Sequence, residues 1–285
     1  MYTLDLLISK ACNQDCYYCN VYKNTKFKDK TPEVDIDFLK YALSCFDFNL
    51  NVIIGGGEPG IVSNLDEVYR TLKDTKKVKN IRLLSNGQVR LNDYDWLKDV
   101  DYFEHLIKDI KGTNLIKFYD LDIFPKHKHW KQVIVTTENV VNSLLDNYEF
   151  FEDLGIFNDS FWFKTMNAKT HSAINFKENL IKFYDKIGKT NELYGIIEED
   201  DKKRRCCAKY PYMSSIDFED KKFLHCNAHS IICERKELSK ENVDLNLKGK
   251  LFNYNDYCSK CYVYNNNLVE TIFRRTNVKR WFEIL

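Results

Sequence analysis

Glycine and proline are scarce in this chain, with 10 and 4 residues among 285. Disordered and low-complexity segments are usually rich in such residues, so a long unstructured arm is not expected. The sequence also lacks an apolar run of about 20 residues, the length that crosses a bilayer, so no membrane association is expected. Residues 1–5 lack a basic stretch followed by an apolar one. We therefore expect no secretory signal and a cytoplasmic location.

An excess of positive charge is absent as well. The 43 Lys and Arg residues balance 42 Asp and Glu residues, which leaves a formal net charge of +1. Proteins that bind nucleic acids usually carry a basic excess or a basic stripe, so no nucleic acid partner is expected. The short basic run at residues 202–205 is interpreted as a solvated linker.

Cysteine, by contrast, is abundant, with 10 residues. In a reducing cytosol these cysteines are not expected to form a disulfide framework. Metal binding or catalysis is the better interpretation of so many thiols.

The first two-thirds of the chain alternates strand-like runs with segments of helical period. The strand-like runs are residues 3–9, 51–54, 80–85, 104–110, 132–136 and 160–166. The helical segments between and after them have apolar faces within residues 36–46, 65–72, 141–151 and 173–187, and Gly188 is a predicted C-cap. This alternation predicts an α/β fold, a partial (β/α)6 TIM-like barrel over residues 1–190.

The character of the sequence changes after residue 190. Residues 213–218 and 222–225 are short alternating runs that predict a β-hairpin, and six cysteines lie between residues 206 and 261. We interpret residues 191–267 as a small Cys-rich domain and residues 268–285 as a helical tail.

The first cysteine motif follows the first predicted strand directly. Cys12, Cys16 and Cys19 have the spacing C-x3-C-x2-C. Three thiolates on one tight loop can hold three corners of a cubane cluster and leave its fourth iron without a protein ligand. A zinc site completed by a remote residue is the alternative that this spacing leaves open.

Two further motifs end the next two strands. Residues 55–60 have the sequence Gly-Gly-Gly-Glu-Pro-Gly, and residues 85–87 have the sequence Ser-Asn-Gly. Each could be a plain turn. However, active sites of βα barrels gather at the carboxyl ends of the strands, which is where all three motifs fall.

The cysteine loop after strand one, followed by Gly-Gly-Glu-Pro after strand two, resembles the radical S-adenosylmethionine (SAM) superfamily. The resemblance implies a [4Fe–4S] cluster on Cys12, Cys16 and Cys19, with SAM bound to the open iron. It also implies a set of residues that contact SAM. These are Tyr18, Gly56, Gly57, Glu58, Pro59, Ser85 and Asn86.

The resemblance further implies the chemistry. An electron donor such as flavodoxin or ferredoxin would reduce the cluster, and reductive cleavage of SAM would give a 5′-deoxyadenosyl radical that abstracts a substrate hydrogen. A weaker local similarity, to the Asp-x-Lys strand of glycyl-radical activating enzymes, concerns Asp109 and Lys111. This pair could contact substrate or SAM, or form a structural ion pair. Lys164 and Asn167 are further candidates for the pocket.

The later cysteines resemble the twitch domain, a shortened SPASM domain. The order of a Cys, a hairpin, a Cys and a C-x2-C pair implies an auxiliary [4Fe–4S] cluster, although zinc suits the spacing equally well. The expected ligands are Cys207, Cys226, Cys258 and Cys261. Cys206 is an alternative ligand, and Cys233 is left over.

Two single residues stand apart from these motifs. Lys221 stands at the position where the hairpin of the twitch domain usually has a glycine. Cys45, within the first helical segment, is interpreted as a small buried hydrophobe.

Families with auxiliary clusters suggest oxidative modification or cross-linking of a peptide or protein as the reaction. The alternative is a small-molecule dehydrogenase of the amino-cyclitol type. A non-catalytic iron–sulfur or zinc protein is the third interpretation.

Overall fold

The first six strands form one parallel sheet. The computed structural model describes residues 2–14, 31–86, 94–107, 130–136, 138–153, 161–165, 177–188, 213–224 and 235–251. The strands are β1 Tyr2–Leu7, β2 Leu50–Gly55, β3 Val78–Ser85, β4 Tyr102–Ile107, β5 Trp130–Thr136 and β6 Phe161–Thr165. Each pairs in parallel with the next along the chain. All six predicted strands are confirmed, with small shifts of their ends.

Helices follow β1, β2, β5 and β6, as the apolar periodicity predicts, and a further helix that the sequence pattern did not predict lies in the C-terminal part. They are α1 Ile36–Ser44, α2 Leu65–Asp74, α3 Glu138–Asp146, α4 Tyr148–Asp153, α5 Lys177–Lys186 and α6 Lys240–Leu247. Short 3-10 turns cover Pro59–Ile61 and Asp95–Asp99. The structure describes no helix that is long and apolar enough to cross a membrane.

Two helix ends have a clear local cause. The face predicted over residues 141–151 is divided between α3 and α4 at Asn147. The backbone N–H and the side-chain amide of Asn147 both donate to the Ser143 carbonyl, at 3.2 and 2.8 Å. An asparagine that bonds its own backbone competes with continuation of the helix. Gly188, with φ of 70°, ends the last turn after α5, which confirms the predicted C-cap.

The core lies between the sheet and its helices. Every second residue of β1 faces it, beginning with Tyr2, Leu4 and Leu6, while α1 and α2 contribute Leu39, Leu43, Leu65, Val68 and Leu72. Full burial of one such aliphatic side chain contributes about 1.5–3 kcal/mol. This packing holds β1, β2 and β3 in register, so the loops at their carboxyl ends are neighbours.

The described part beyond residue 190 continues the same sheet on the other side of β1. Strand β7, Met213–Asp217, runs parallel to β1, and β8 (Lys222–Leu224) and β9 (Arg235–Glu237) follow in antiparallel order. The strand order is β6-β5-β4-β3-β2-β1-β7-β8-β9. The predicted hairpin and the α/β class with a mainly parallel sheet are confirmed. The domain boundaries at 190 and 267 stay a prediction, and residues 268–285 lie outside the described part.

Helix α6 is tied to the start of β1 by a buried hydrogen bond. The Nδ2 of Asn246 donates to the hydroxyl of Tyr2 at 2.9 Å, and these residues are 2% and 1% exposed. Burial raises the pKa of Tyr2 to about 12, although hydrogen bonds with Ser214 and Asn246 act in the opposite direction. The hydroxyl is therefore a neutral structural group.

Candidate active site

Three sequence motifs meet at one edge of the sheet. The loop after β1 carries Cys12, β2 runs into residues 55–59, and β3 ends at Ser85 followed by Asn86. Because β1, β2 and β3 are adjacent and parallel, their carboxyl ends lie side by side. The structure therefore brings together Cys12, residues 55–59, Ser85 and Asn86.

Glu58 joins the ends of β2 and β3. The residue is 1% exposed. Its Oε1 accepts from the hydroxyl of Ser85 at 2.8 Å and from the backbone N–H of Gly60 at 2.9 Å. Its Oε2 accepts from the backbone N–H of Asn86 at 2.7 Å. A carboxylate buried to this extent needs such donors, and they in turn fix the two strand ends relative to each other.

This network bears on the predicted role of Glu58 and Ser85 as SAM contacts. In the described structure the carboxylate of Glu58 bonds with backbone and side chains of the protein itself. Its direct structural effect is to hold Pro59, which is buried at the start of a 3-10 turn, and the backbone around it. Direct contact of these residues with SAM stays a prediction.

The glycines allow the cysteine loop to approach the β2 loop closely. The N–H of Gly57 donates to the Ser9 carbonyl at 2.7 Å, and the N–H of Glu58 donates to the Ala11 carbonyl at 2.9 Å. A Cβ built on Gly57 would lie 1.9 Å from the oxygen of Ala11. Gly56 has φ of 121°, and its Cβ would lie 2.5 Å from the oxygen of Ser9. Side chains at both positions would push the cysteine loop away.

Cys12 is the thiol of the motif that the structure describes, and it is half-buried. The Nδ2 of Asn86 lies 3.8 Å from its Sγ and also donates to the Oδ1 of Asn13 at 2.8 Å. An amide that donates to sulfur stabilises a thiolate, and hydrogen bonds to sulfur are one way in which proteins tune iron–sulfur clusters. The donor set around Cys12 therefore suits a cluster ligand.

A group of charges from the C-terminal hairpin lies beside the same loop. The ammonium of Lys10 lies 2.7 Å from Oδ2 of Asp220 and 3.3 Å from Oδ2 of Asp217, which is 1% exposed. Burial alone would lower the pKa of Lys10, but its bonds to Asp220 and Asp217 outweigh burial and raise the pKa. The hydrogen bond from Lys10 also lowers the pKa of Asp220. Arg235 pairs with Asp220 as well.

Sequence reasoning missed these hairpin residues. Residues 219–221 were predicted only as a turn between two strands, and Lys10 belonged to no motif that the sequence analysis identified. No local signal could have linked them, because their contact depends on the pairing of β7 with β1.

Other predicted residues fall elsewhere. Cys45 is buried, and burial raises the pKa of its thiol, which confirms its interpretation as a packed hydrophobe. Lys164 lies on β6. The remaining candidates lie outside the described residues; they are Cys16, Tyr18, Cys19, Asp109, Lys111, Asn167, Cys206, Cys207, Cys226, Cys233, Cys258 and Cys261.

Comparisons with known proteins agree with this site. Residues 6–115 match the family model of the radical SAM superfamily, a stretch that contains all three motifs. The "Probable GTP 3',8-cyclase" of Methanococcus aeolicus is 28% identical over 206 residues, which cover 65% of this chain and 68% of that protein. Proteins of the same name from Methanococcus maripaludis and Methanocaldococcus jannaschii match over 27% to 32% of their length.

Solved structures share the fold at low identity. The structure of anSMEcpe with bound AdoMet and Cp18Cys peptide has a TM-score of 0.61 at 13% identity. The match covers 99% of this chain and 98% of the anSMEcpe chain. Streptococcus suis SuiB bound to precursor peptide SuiA has a TM-score of 0.58 at 14% identity and covers 93% of this chain and 70% of its own. This shared fold supports the predicted partial (β/α)6 barrel. The segment that carries the three motifs, residues 6–115, matches the radical SAM superfamily, which is the family that this chain resembles.

Proposed function

We propose that Cys12, Cys16 and Cys19 hold a [4Fe–4S] cluster and that SAM binds beside residues 56–59, Ser85 and Asn86. The observation that carries this proposal is the set of hydrogen bonds that join the three motifs to one another. Glu58 bonds to the end of β3, and the β2 loop bonds to the cysteine loop. The match of residues 6–115 to the superfamily model supports both the cluster and SAM.

The protein's own residues prepare this site. Glu58 keeps the carboxyl ends of β2 and β3 in one geometry, and the Nδ2 of Asn86 donates toward the sulfur of Cys12. The glycines let the β2 loop lie directly against the cysteine loop, which places residues 56–59 beside the segment that carries Cys12. When bound, the cluster and SAM supply the radical that takes a hydrogen atom from the substrate.

The test is anaerobic reconstitution followed by reduction with dithionite in the presence of SAM. We expect about four irons per chain for this cluster, or about eight if the auxiliary cluster is also present, and release of 5′-deoxyadenosine. Replacing Cys12, Cys16 and Cys19 together by Ala should abolish the release. Cys45→Ala is the matched control, because this thiol is buried and lies outside the site. Release from the triple variant would contradict the assignment.

The proposed auxiliary cluster has a separate test. Cys258→Ala combined with Cys261→Ala should remove about half of the iron if two cubanes are present. Unchanged iron content in the double variant would remove the auxiliary cluster from the proposal.

For the reaction itself, we propose oxidative modification or cross-linking of a peptide or protein. Its support is that anSMEcpe and SuiB, which share the fold, have been solved with peptides bound. The second candidate is cyclisation of GTP, which the name of the Methanococcus aeolicus relative favours. A small-molecule dehydrogenase activity of the amino-cyclitol type stays a prediction.

The two candidates separate in one experiment. The reconstituted protein is incubated with SAM and dithionite, either with GTP or with short peptides encoded near its gene. A GTP-dependent rise in 5′-deoxyadenosine with consumption of GTP supports the cyclase. A peptide-dependent rise with a loss of hydrogen mass from that peptide supports peptide oxidation, and no response to GTP excludes the cyclase.

A further inference from the structure

One turn of the C-terminal hairpin touches the chain on both sides of the cysteine motif. The turn, residues 218–221, connects β7 to β8. The cysteine segment, residues 11–34, lies in the sequence between Lys10 and Asp35, and Asp35 caps α1. We call residues 9–10 and Asp35 the two stems of this segment.

The turn holds the first stem through Glu219. One oxygen of this carboxylate accepts from the backbone N–H of Lys10 and lies 3.4 Å from the hydroxyl of Ser9. The hydroxyl of Ser9 in turn accepts from the N–H of Ala11 at 3.0 Å. The carbonyl of Ser9 also receives the N–H of Gly57. The contact with Glu219 therefore reaches the residues that immediately precede Cys12.

The turn holds the second stem through Lys221. Its Nζ lies 2.6 Å from Oδ2 of Asp35 and 5.3 Å from the centre of the Phe38 ring. The other oxygen of Asp35 accepts from the N–H of Phe38 at 2.9 Å and so caps α1. The contact with Lys221 thus fixes the point where the cysteine segment ends.

The backbone of Lys221 supports a specific role for its side chain. It has φ of 51°, in the left-handed region that glycine enters without strain and lysine does not. Glycine would build this turn at lower cost. What the lysine adds in the described structure is its contact with Asp35 and Phe38.

We propose that the turn 218–221 is a clamp across both stems of the cysteine segment, with Glu219 and Lys221 as positioning residues that set how firmly the cysteine loop retains its cluster. The effect on the cluster rests on the proposed function, whereas the effect on the stems does not. Exposed ion pairs contribute little to the stability of a whole chain. Their loss should therefore act locally, on the loop that the turn holds.

The experiment compares Glu219→Ala and Lys221→Gly with the wild-type full chain. Lys221→Gly keeps the turn geometry and removes only the side chain. The matched control is Glu237→Ala, since Glu237 pairs with Lys222 on the same hairpin. Two quantities are measured: the rate at which the reconstituted protein loses iron to a chelator, and hydrogen exchange of residues 8–14 and 31–36 by mass spectrometry.

We expect iron loss about tenfold faster in each clamp variant, the lower end of the range for residues that orient metal ligands. Exchange at the stems should also be faster, and Tm should stay within about 2 °C of the wild type. Glu219→Gln keeps an acceptor oxygen and should restore most of the retention. The control should match the wild type in all three measurements.

Other results would overturn the clamp. Unchanged iron loss and exchange in both variants would show that the turn does not hold the stems. A large fall in Tm, shared by the control, would show a merely structural role for the hairpin. A wild-type protein that takes up no cluster would refute the proposed function instead, and the exchange measurement would still decide the clamp.

Discussion

Replacing Gly57 by Ala isolates the close approach on which the site depends. A Cβ at this position would lie 1.9 Å from the oxygen and 2.7 Å from the carbonyl carbon of Ala11. The cysteine loop would have to retreat by about 1.5 Å to reach ordinary contact distance. That movement pulls apart the hydrogen bonds from Gly57 to Ser9 and from Glu58 to Ala11.

The magnitude follows from those two bonds. A backbone hydrogen bond contributes about 1 kcal/mol net, so we expect a loss of about 2 kcal/mol in the free energy of unfolding. For a chain of 285 residues, that loss lowers Tm by about 3 °C. The same retreat moves Cys12 away from Asn86 and from the β2 loop, so iron content after reconstitution should fall severalfold.

Differential scanning calorimetry of the apoprotein and an iron assay of the reconstituted protein measure the two effects. Gly188→Ala is the control, because Gly188 has φ of 70° and a Cβ there would have nothing within 4 Å. That variant should lose about 1 kcal/mol from backbone strain and keep its iron. Wild-type iron content in Gly57→Ala would refute the close approach of the two loops.

Three further predictions concern single contacts. Glu58→Gln turns one acceptor of the buried network into a donor. It should lower the free energy of unfolding of the apoprotein, measured with denaturant, by about 1–3 kcal/mol. An unchanged unfolding midpoint would contradict the network. Tyr2→Phe removes the hydroxyl that accepts from Asn246 and should cost about 1–2 kcal/mol in the same assay, with no change in iron content. Cys45, buried and with a raised pKa, should react with iodoacetamide only in denaturant, and rapid labelling of the native protein would show that it is accessible.

Much of the fold follows from short-range patterns. The apolar runs of β1, β2 and β3 and the periodicity of α1 predict their own elements, because burial on one face requires a period that the sequence displays. These features depend on neighbouring residues alone.

The partners of Glu58 were not predictable in the same way. The resemblance implied a SAM contact for this residue, and that contact stays a prediction. The structure adds that its carboxylate bonds to Ser85 and Asn86, which lie 27 and 28 positions along the chain. Only the parallel register of β2 and β3 brings these groups together. The division between α3 and α4 depended on the side chain of Asn147, whose effect apolar periodicity does not include.

By itself the sequence determined most of the strand and helix segments, the cysteine motif and the superfamily that the motif resembles. The tertiary structure decided which loops touch. Lys10 and Glu219 are separated by 209 positions, and they meet because β7 pairs with β1. Hydrophobic periodicity is a property of a few turns of chain, whereas strand order is set by the packing of the whole sheet. The contacts that surround the cysteine loop therefore become visible only in the folded chain.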